Sequence, residues 1–489
     1  MATAFTALID LIPEGILLLG ALVCFGLAAL RRRTGISAYQ WISGFTLVAA
    51  AGTSMAYLRG MPTRSVNPGY LAYADGLVVD RFTLFLTATL CAFAFFTVLL
   101  GTLLSERIRT HLGEYHAFIL LATLGAVLLV STREMISMWV AIELLSVSLV
   151  LLVGAVKTDR RGGEAAVKQL VAGIASSAVL LYGLALLYGV GGSTDLIEVA
   201  HQATHANAAL VLAMALTTLG LLGKVGLVPF QRLLPDVVQG APAPVTGLVA
   251  SLAVTATLGL FLRVVVTAFG AVQSNWTALV ALVAALAMLY GSLLALRQRS
   301  VRRLVGHLVL AQLGVVLMGV LGWQQANQGL AAVLFALATS GIAVLAAAAA
   351  ITLVEGSGTS DSVAAYQGLS RRSPGAAAAL SLAVLSLAGL PPLIGFFARL
   401  FTVEAALLAG WAWLVVAALV ATVLGAVAAL RLVRAMFAAA PDEDALPLDE
   451  PAPARAALAV CGVAVIGLAA AVQPLLALAS GGAAAVVPH

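Results

Sequence analysis

Three charged side chains, Glu143, Lys168 and Lys224, lie within long apolar stretches of the sequence. An ionised side chain at the centre of a membrane helix costs about 2.5–3.5 kcal/mol, so such residues usually serve a proton or ion pathway or form a pair. Glu143 lies near the middle of the apolar stretch 135–156. It is either a proton-carrying carboxylate or a paired or neutral group that holds helices together.

Lysine is rare in this chain, so each lysine is informative. Of the 26 basic residues, only Lys157, Lys168 and Lys224 are lysines and the other 23 are arginines. A buried lysine can release its proton, whereas arginine stays charged. A GC-rich genome is a second explanation for the arginine bias. The two lysines in apolar surroundings are therefore candidates for proton transfer.

Lys168 has two interpretations. Glu164 precedes it by four residues, which favours an ion pair along one face of a helix, with the lysine reaching toward the membrane surface. Alternatively, Lys168 points inward to Glu143 on the preceding helix. Such a pair would respond to the arrival of a proton nearby, because burial and an opposite charge act in opposite directions on the lysine.

Lys224 lies beside helix-breaking residues. Gly223 and Gly226 flank it and Pro229 follows, and proline removes a backbone hydrogen bond. The pattern predicts a helix broken at membrane depth, where irregular backbone usually lines a site. The alternative is a lysine that anchors the end of a span.

A second break of the same kind is predicted at Pro391 and Pro392, again with a nearby cation, Arg399. Two interrupted spans at corresponding places are typical of the inverted repeats of transporters. The sequence therefore predicts two inverted five-helix repeats, spans 4–8 and 9–13, with helices 7 and 12 broken.

The amino-acid composition of the chain indicates which kind of fold must position these side chains. Hydrophobic residues make up 62% of the 489 residues and charged residues 10%, which excludes a soluble protein. An all-α polytopic membrane protein of about fourteen spans, at about 22 residues each, uses most of the chain. The predicted spans are 8–30, 39–59, 82–104, 116–132, 135–156, 166–190, 207–230, 244–267, 277–296, 304–322, 328–353, 375–402, 408–430 and 456–478.

The basic residues predict the orientation of these spans. Alternating the loops puts eighteen cations on one side and four on the other, and the positive-inside rule makes the first side cytoplasmic. Both termini then face outward. The first apolar stretch lacks the features of a cleaved signal and is expected to be a retained helix. No basic cluster with interleaved aromatic residues occurs, so nucleic acid is not an expected partner.

Four segments are predicted. They are an N-terminal three-helix segment (1–115), a first five-helix repeat (116–267), a second repeat (268–436), and an acidic linker with a C-terminal helix (437–489). The stretch 60–80 predicts a small hairpin. The three cysteines stand apart from one another in apolar stretches and predict no disulfide, metal or iron–sulfur site.

The chain resembles a known family at several motifs. These are 164–168 leading to 180–183, Val228 to Phe230, the run 235–245 (PDVVQGAPAPV), and 384–397. They are similar to the antiporter-like, proton-translocating membrane subunits of respiratory complex I (NADH:quinone oxidoreductase), of the subunit N type. The run around Gly240 is the most specific of the motifs, and the similarity covers essentially all of the predicted spans.

The resemblance implies a row of buried charges across the membrane that moves protons when quinone is reduced elsewhere in the complex. Glu143, Lys168 and Lys224 match its first three positions. Two positions depart from the family pattern. Val254 stands where a lysine of the eighth helix is expected, and Arg399 replaces the usual lysine of the twelfth helix and can act only as a fixed charge.

The tenth helix is also less polar than the family pattern, with Gln312 among apolar residues and His307 near the cytoplasmic end. His307 is either a satisfied structural residue or a relay member. We therefore expect the uptake half of the proton path to be intact, and onward transfer to be weakened, water-mediated or lost.

The resemblance implies a bacterial inner-membrane protein with other membrane subunits of complex I as partners, especially the antiporter-like and small ones. No cofactor is expected in this subunit, since NAD, FMN, iron–sulfur clusters and quinone would belong to other subunits. Three alternatives stay open: a subunit of a ferredoxin- or coenzyme-driven dehydrogenase or membrane-bound hydrogenase, a stand-alone solute transporter, and a mainly structural subunit with a decayed proton path.

Overall fold

The computed structural model describes residues 11–30, 36–60, 70–72, 76–104, 108, 111–202, 207–324, 328–356, 358, 360–438 and 452–486. Helices account for nearly all of this part of the chain. The acidic residues of the predicted linker, from Asp442 to Glu450, lie outside the described residues.

The first half of the chain contains the hairpin and the helices that carry Glu143, Lys168 and Lys224. Its elements are α1 (Ile12–Ala29), α2 (Ile36–Gly60), β1 (Tyr70–Ala72), β2 (Leu77–Val79), α3 (Arg81–Leu100), α4 (Leu112–Ser131), α5 (Met135–Val153), α6 (Arg160–Gly191), α7 (Leu196–Gln202), α8 (Ala208–Lys224), α9 (Leu233–Gly240), α10 (Ala243–Leu248) and α11 (Val254–Thr267). A π-helical turn, Val249–Ala253, joins α10 to α11. The two strands pair antiparallel, with Tyr70 opposite Val79, which confirms the predicted hairpin.

The second half is also helical. Its main elements are α12 (Gln273–Arg297), α13 (Val301–Val320), α14 (Gln328–Gly356), α15 (Leu369–Arg372), α16 (Pro374–Leu387), α17 (Ile394–Leu408), α18 (Ala412–Ala438), α19 (Ala452–Ala470) and α20 (Val472–Val486). Helices α13 and α14 are almost entirely buried, because the other helices surround them.

Local sequence explains where many of these helices begin. Asp80, Glu134, Asn207 and Ser300 are N-caps whose side-chain oxygens accept hydrogen bonds from backbone N–H groups of the first turn. The helix interiors are rich in Ala, Leu and Val. A helix satisfies its own backbone groups, which hydrocarbon requires.

Eleven helices of the described residues are long and apolar enough to cross a membrane, or twelve if the bent pair Arg455–Ala470 and Val472–Val486 forms one span. Two shorter apolar helices, Ala208–Lys224 and Pro374–Leu387, accompany them. These shorter helices precede the two predicted breaks. The all-α polytopic fold is thus confirmed, while the count of fourteen stays a prediction.

The last predicted span, 456–478, is not one straight helix. The chain bends by 84° between α19 and α20. Pro474 lies in the first turn of α20, and proline can neither donate a backbone hydrogen bond nor fit beside the carbonyl four residues earlier. Periodicity and hydropathy alone do not reveal this bend.

The two helix breaks have the same pattern of backbone hydrogen bonds. At the first, the N–H of Gly226 donates to Gly223 O (3.0 Å) and the N–H of Leu227 donates to Leu222 O (3.0 Å). At the second, Gly389 and Leu390 make the same two bonds with Ser386 (2.9 Å) and Leu385 (3.0 Å). Gly226 and Gly389 have φ of 74° and 79°, which only glycine adopts without strain.

A cis X-Pro bond follows each of these glycines, at Val228–Pro229 and at Pro391–Pro392. One helix ends at Lys224 and the next begins at Leu233, and likewise at Leu387 and Ile394, so Pro229, Pro391 and Pro392 lie between helices. The inverted symmetry of the two surrounding five-helix units stays a prediction.

Loops that the alternating topology assigns to one side meet at one end of the bundle. One end, which we call the basic end, is formed by residues 154–159, 231–232, 298–300 and 360–373. There Arg302 forms an ion pair with Glu355 and donates a hydrogen bond to Gln239 O (3.1 Å). Ser300 also forms a β-bridge with Ser362. At the opposite end, Arg133 binds Asp195 (2.5 Å) and Leu77 bridges to Thr132. The grouping of loops is thus observed for the described residues.

Candidate functional site

The buried side chain of Lys224 forms an ion pair with the half-buried carboxylate of Glu143 in the first half of the bundle. Lys224 Nζ lies 2.9 Å from Glu143 Oε1 and donates to Ser146 Oγ at 3.2 Å. The hydroxyl of Ser177 donates a short hydrogen bond to the same Glu143 oxygen. The lysine side chain is 5% exposed and the glutamate side chain 29%.

Three helices position this pair. Glu143 lies at the middle of α5, Ser177 at the middle of α6, and Lys224 is the last residue of α8. Helices α6 and α8 pack closely because Gly183 and Gly220 face each other's helix: an added Cβ would lie 2.6 Å from backbone atoms of the partner helix. Small residues allow this approach in membrane proteins.

A small cavity adjoins the pair. Its volume is about 70 Å³, and Glu143, Lys224, Gln169 and Val254 are among its lining residues. That volume is large enough to hold water, since one molecule needs about 10–15 Å³ of such space. Within the described part of the chain, Gln169 Oε1 is buried without a hydrogen-bond partner, so a water molecule in this cavity would have a polar group to bind.

The predicted inward pair between Lys168 and Glu143 is wrong. Lys168 Nζ instead lies 2.9 Å from Glu164 and 3.4 Å from Asp236. The reason is helix length: Lys168 precedes Ser177 by nine residues on α6, which places it about 13 Å from the level of Glu143. Lys168 thus occupies the basic end, 47% exposed.

Lys168 lines a second, larger cavity of about 620 Å³ at the basic end. Asp236, Arg303 and His307 line it as well, and Arg303 binds Asp236 at 3.0 Å. His307 is buried, and its Nδ1 lies 2.7 Å from Arg303 O. The structure therefore brings His307 together with Lys168, and separates both from the Lys224 pair.

Arg399 is buried at the second break and bound by neutral groups. Its guanidinium donates to Thr422 Oγ1 (2.5 Å), to Gln312 Oε1 (2.7 Å) and to Leu387 O (3.1 Å). No carboxylate lies within ion-pair distance among the described residues. Gln312, which lies among apolar residues of the tenth predicted span, supplies one of the three neutral acceptors of this guanidinium.

Sequence reasoning missed one buried ion pair at the end opposite the basic end. Arg263 Nη1 lies 3.0 Å from Asp80 Oδ2, both residues are at most 5% exposed, and the guanidinium also donates to Thr83 Oγ1 at 2.9 Å. A signal for it exists in the sequence, since Arg263 is a charge inside the predicted span 244–267 and Asp80 lies two residues before the predicted span 82–104. This pair ties α11 to the start of α3.

Cys24, Cys91 and Cys461 are buried as free thiols. In the described part of the chain, no three His, Cys, Asp or Glu side chains lie together as a metal site would require. The groups that the site brings together are a lysine, a carboxylate and two hydroxyls, each of which can donate or accept a proton.

The chain matches the family described as NADH:quinone oxidoreductase/Mrp antiporter, TM, over residues 132–425, more than half of its length. It is 37% identical to NADH-quinone oxidoreductase subunit N 2 of Acidobacterium capsulatum over 407 residues, 79% of this chain and 82% of the relative. It is 33% identical to NADH-quinone oxidoreductase subunit N of Dehalococcoides mccartyi over 414 residues, 82% of this chain and 85% of the relative.

Solved structures have the same fold. A chain of respiratory complex I from Thermus thermophilus, solved with bound aureothin, is 29% identical with a TM-score of 0.77, over 95% of this chain and 98% of that one. A chain of the Mrp complex from Dietzia sp. is 21% identical with a TM-score of 0.84, over 98% and 97%, and supports the fold alone. The chain therefore belongs to the NADH:quinone oxidoreductase/Mrp antiporter family of transmembrane proteins, in the group of complex I N subunits.

Proposed function

We propose that this chain translocates protons as a membrane-arm subunit of an NADH:quinone oxidoreductase, with Lys224 as its central proton carrier. The observation that carries the proposal is the ion pair between Lys224, buried at the end of α8, and the half-buried carboxylate of Glu143. Family membership supplies the context, because relatives are named as subunits of that oxidoreductase.

The pair has the properties of a switch. The carboxylate of Glu143 stabilises the charged form of Lys224, and burial opposes it. If the pair opens, or if Glu143 takes up a proton, Lys224 loses its counter-charge in a low-dielectric site and releases its proton. Because the ammonium group of Lys224 is buried, its protonation state depends on that of Glu143.

Proton uptake is assigned to the basic end. Lys168, Asp236 and His307 border the larger cavity there, and Gln169 on the same helix as Lys168 borders the small cavity beside Lys224. Lys168 is thus a relay member at the mouth of the path and not a partner of Glu143. Water molecules would bridge the remaining distance of about 13 Å along α6.

The second half of the path lacks proton carriers at two places. Val254 borders the cavity of Lys224 but carries no proton, and Arg399 cannot release one. We infer that onward transfer is water-mediated or weakened. The neutral surroundings of Arg399 also favour a second candidate, a mainly structural subunit whose proton path has decayed.

The partial exposure of Glu143 supports partner subunits. Its side chain is 29% exposed at the middle of α5, and a charge facing hydrocarbon there is costly. We propose that a neighbouring antiporter-like or small membrane subunit covers it. NAD, FMN, iron–sulfur clusters and quinone are assigned to other subunits of the complex. The location is the bacterial plasma membrane, with both termini outside.

The test uses the intact complex in vesicles. Glu143→Gln and Lys224→Ala should each lower proton pumping relative to electron transfer, while Lys157→Ala, at an exposed lysine of the basic end, should leave both at the wild-type level. Unchanged pumping and unchanged quinone reduction in both of the first two variants would refute the relay. Normal assembly with unchanged pumping would support the structural candidate.

A further inference from the structure

The large cavity at the basic end carries more positive than negative charge. Four cationic side chains and two carboxylates line it: Arg161, Lys168, Arg232, Arg303, Glu164 and Asp236. Both carboxylates are already engaged. Glu164 binds Lys168, and Asp236 binds Lys168 and Arg303.

Two arginines at this cavity have no carboxylate partner. Arg161 and Arg232 are exposed, and neither forms an ion pair with any described residue. Arg303 Nε is buried and lacks a hydrogen-bond partner within the described chain. The cavity is therefore complementary to an anion, and guanidinium groups bind phosphate oxygens in a two-pronged manner.

An apolar groove continues directly from this cavity. Its volume is about 620 Å³, and it shares Lys168, Arg232 and Asp236 with the cavity as lining residues. The rest of its lining is mainly the small and apolar side chains on the outer face of α6 and at the first break. These include Val167, Val171, Ala172, Ala175, Pro229 and Phe230.

We infer that this cavity and groove together bind one anionic phospholipid. The phosphate group lies between Arg161 and Arg232, and an acyl chain lies along the groove against α6. A free phosphate ion would use the arginines but gain nothing from the groove, whereas a lipid uses both. Basic pockets between membrane helices near the cytoplasmic surface have the chemistry that anionic headgroups require.

This inference does not depend on the proton path, because neither Arg161 nor Arg232 belongs to the Lys224 pair. The lipid headgroup would nevertheless lie at the mouth of the cavity that holds Lys168 and His307. A negatively charged phosphate there raises the local proton concentration at the surface from which we propose that protons enter.

The test measures lipid retained by the intact complex after purification in mild detergent, by native mass spectrometry and phosphorus analysis. Each wild-type complex should retain one more anionic phospholipid molecule than the complex with the double substitution Arg161→Gln/Arg232→Gln. Each arginine removed should weaken binding by about fivefold. Ala175→Trp, which fills the groove, should also lose the lipid. Arg371→Gln, at an exposed arginine outside the cavity, should retain it.

Two further experiments distinguish a bound lipid from a free phosphate ion. Delipidated wild-type complex should take up the lipid from vesicles of phosphatidylcholine with phosphatidylglycerol but not from phosphatidylcholine alone, and excess inorganic phosphate should not displace it. Equal retention by wild type and the double arginine variant would overturn the proposal. So would displacement by phosphate without any effect of Ala175→Trp, or cross-linking of a partner subunit into the cavity with no lipid present.

Discussion

Glu143 accepts hydrogen bonds from two side chains on one oxygen, the ammonium of Lys224 and the hydroxyl of Ser177. The hydroxyl comes from α6, the helix that also bears Lys168 at its basic end. Ser177 therefore connects the pair to the helix along which we propose that protons arrive. A hydrogen bond to a charged group contributes about 1.5–3 kcal/mol, enough to affect which form of Glu143 is populated.

Ser177→Ala should lower proton pumping per electron transferred, because the carboxylate of Glu143 loses a donor. Ser177→Thr keeps the hydroxyl and should restore pumping, which separates the hydrogen bond from packing. Ser176→Ala is the matched control: its hydroxyl is buried beside Gly223 and, within the described chain, has no hydrogen-bond partner. A loss of pumping in Ser176→Ala as large as in Ser177→Ala would contradict this role.

At the residue scale, the sequence predicted which side chains are unusual but not which ones meet. Lys224 and Glu143 stood out because charges are rare in apolar stretches. Their contact was not predicted, because it depends on how far each helix is shifted along its neighbour. Ser177 lies nine positions after Lys168 on the same helix, and Ser177 is the residue that lies opposite Glu143. Lys168 is therefore too far along the helix to contact Glu143.

At the element scale, the end of α8 is the feature that brings Lys224 into the bundle. Gly226 turns the chain there, and a Cβ added to it would lie 2.9 Å from Leu234 N and Cβ. The second break repeats this backbone at Gly389, where an added Cβ would meet the guanidinium of Arg399 at 2.7 Å. Each break therefore packs its glycine against the chain that follows.

Gly226→Ala should destabilise the subunit, since a left-handed conformation costs a residue with a Cβ about 1–2 kcal/mol before the contact with Leu234 is counted. The measurement is the midpoint of thermal dissociation of the purified complex. Gly163→Ala is the control, because Gly163 is helical and its added Cβ meets nothing within 4 Å. That change should be neutral or stabilising by up to about 1 kcal/mol. Equal midpoints for Gly226→Ala and wild type would contradict the strain argument.

The positions of helices and helix breaks were easier to predict from the sequence than the contacts between side chains. Glycine and proline marked both breaks, because their backbone constraints are local and are written in the sequence. The bend before Val472 also has a local cause in Pro474, but the apolar run across it suggested one straight span. The fourfold division of the chain and its inverted repeats are global properties that no local signal determines, and they stay predictions.

At the scale of the whole molecule, the bundle has two chemically different ends. The basic end carries Lys168, Arg302 and Arg303 with their carboxylate partners, and the opposite end carries the buried pair of Arg263 and Asp80. The loops that meet at each end are those expected if successive spans cross the membrane in alternating directions. From the positive-inside rule we expect the basic end to face the cytoplasm.

Labelling with a membrane-impermeant maleimide tests this orientation. The native cysteines Cys24, Cys91 and Cys461 are buried, so background labelling should be low. Ser360→Cys, at an exposed site of the basic end, should react in inverted vesicles, and His201→Cys should react in right-side-out preparations. The reversed pattern would place the basic end outside.

The central claim is that Lys224 carries a proton and does not merely hold a charge. Lys224→Arg tests it most directly, because arginine preserves the positive charge beside Glu143 but cannot release a proton. The measurement is the number of protons pumped per electron by the intact complex in vesicles, with Lys157→Arg as the control. We predict that the Lys224→Arg complex assembles and pumps fewer protons per electron than wild type, and that Lys157→Arg matches wild type. A wild-type ratio in Lys224→Arg would contradict the account.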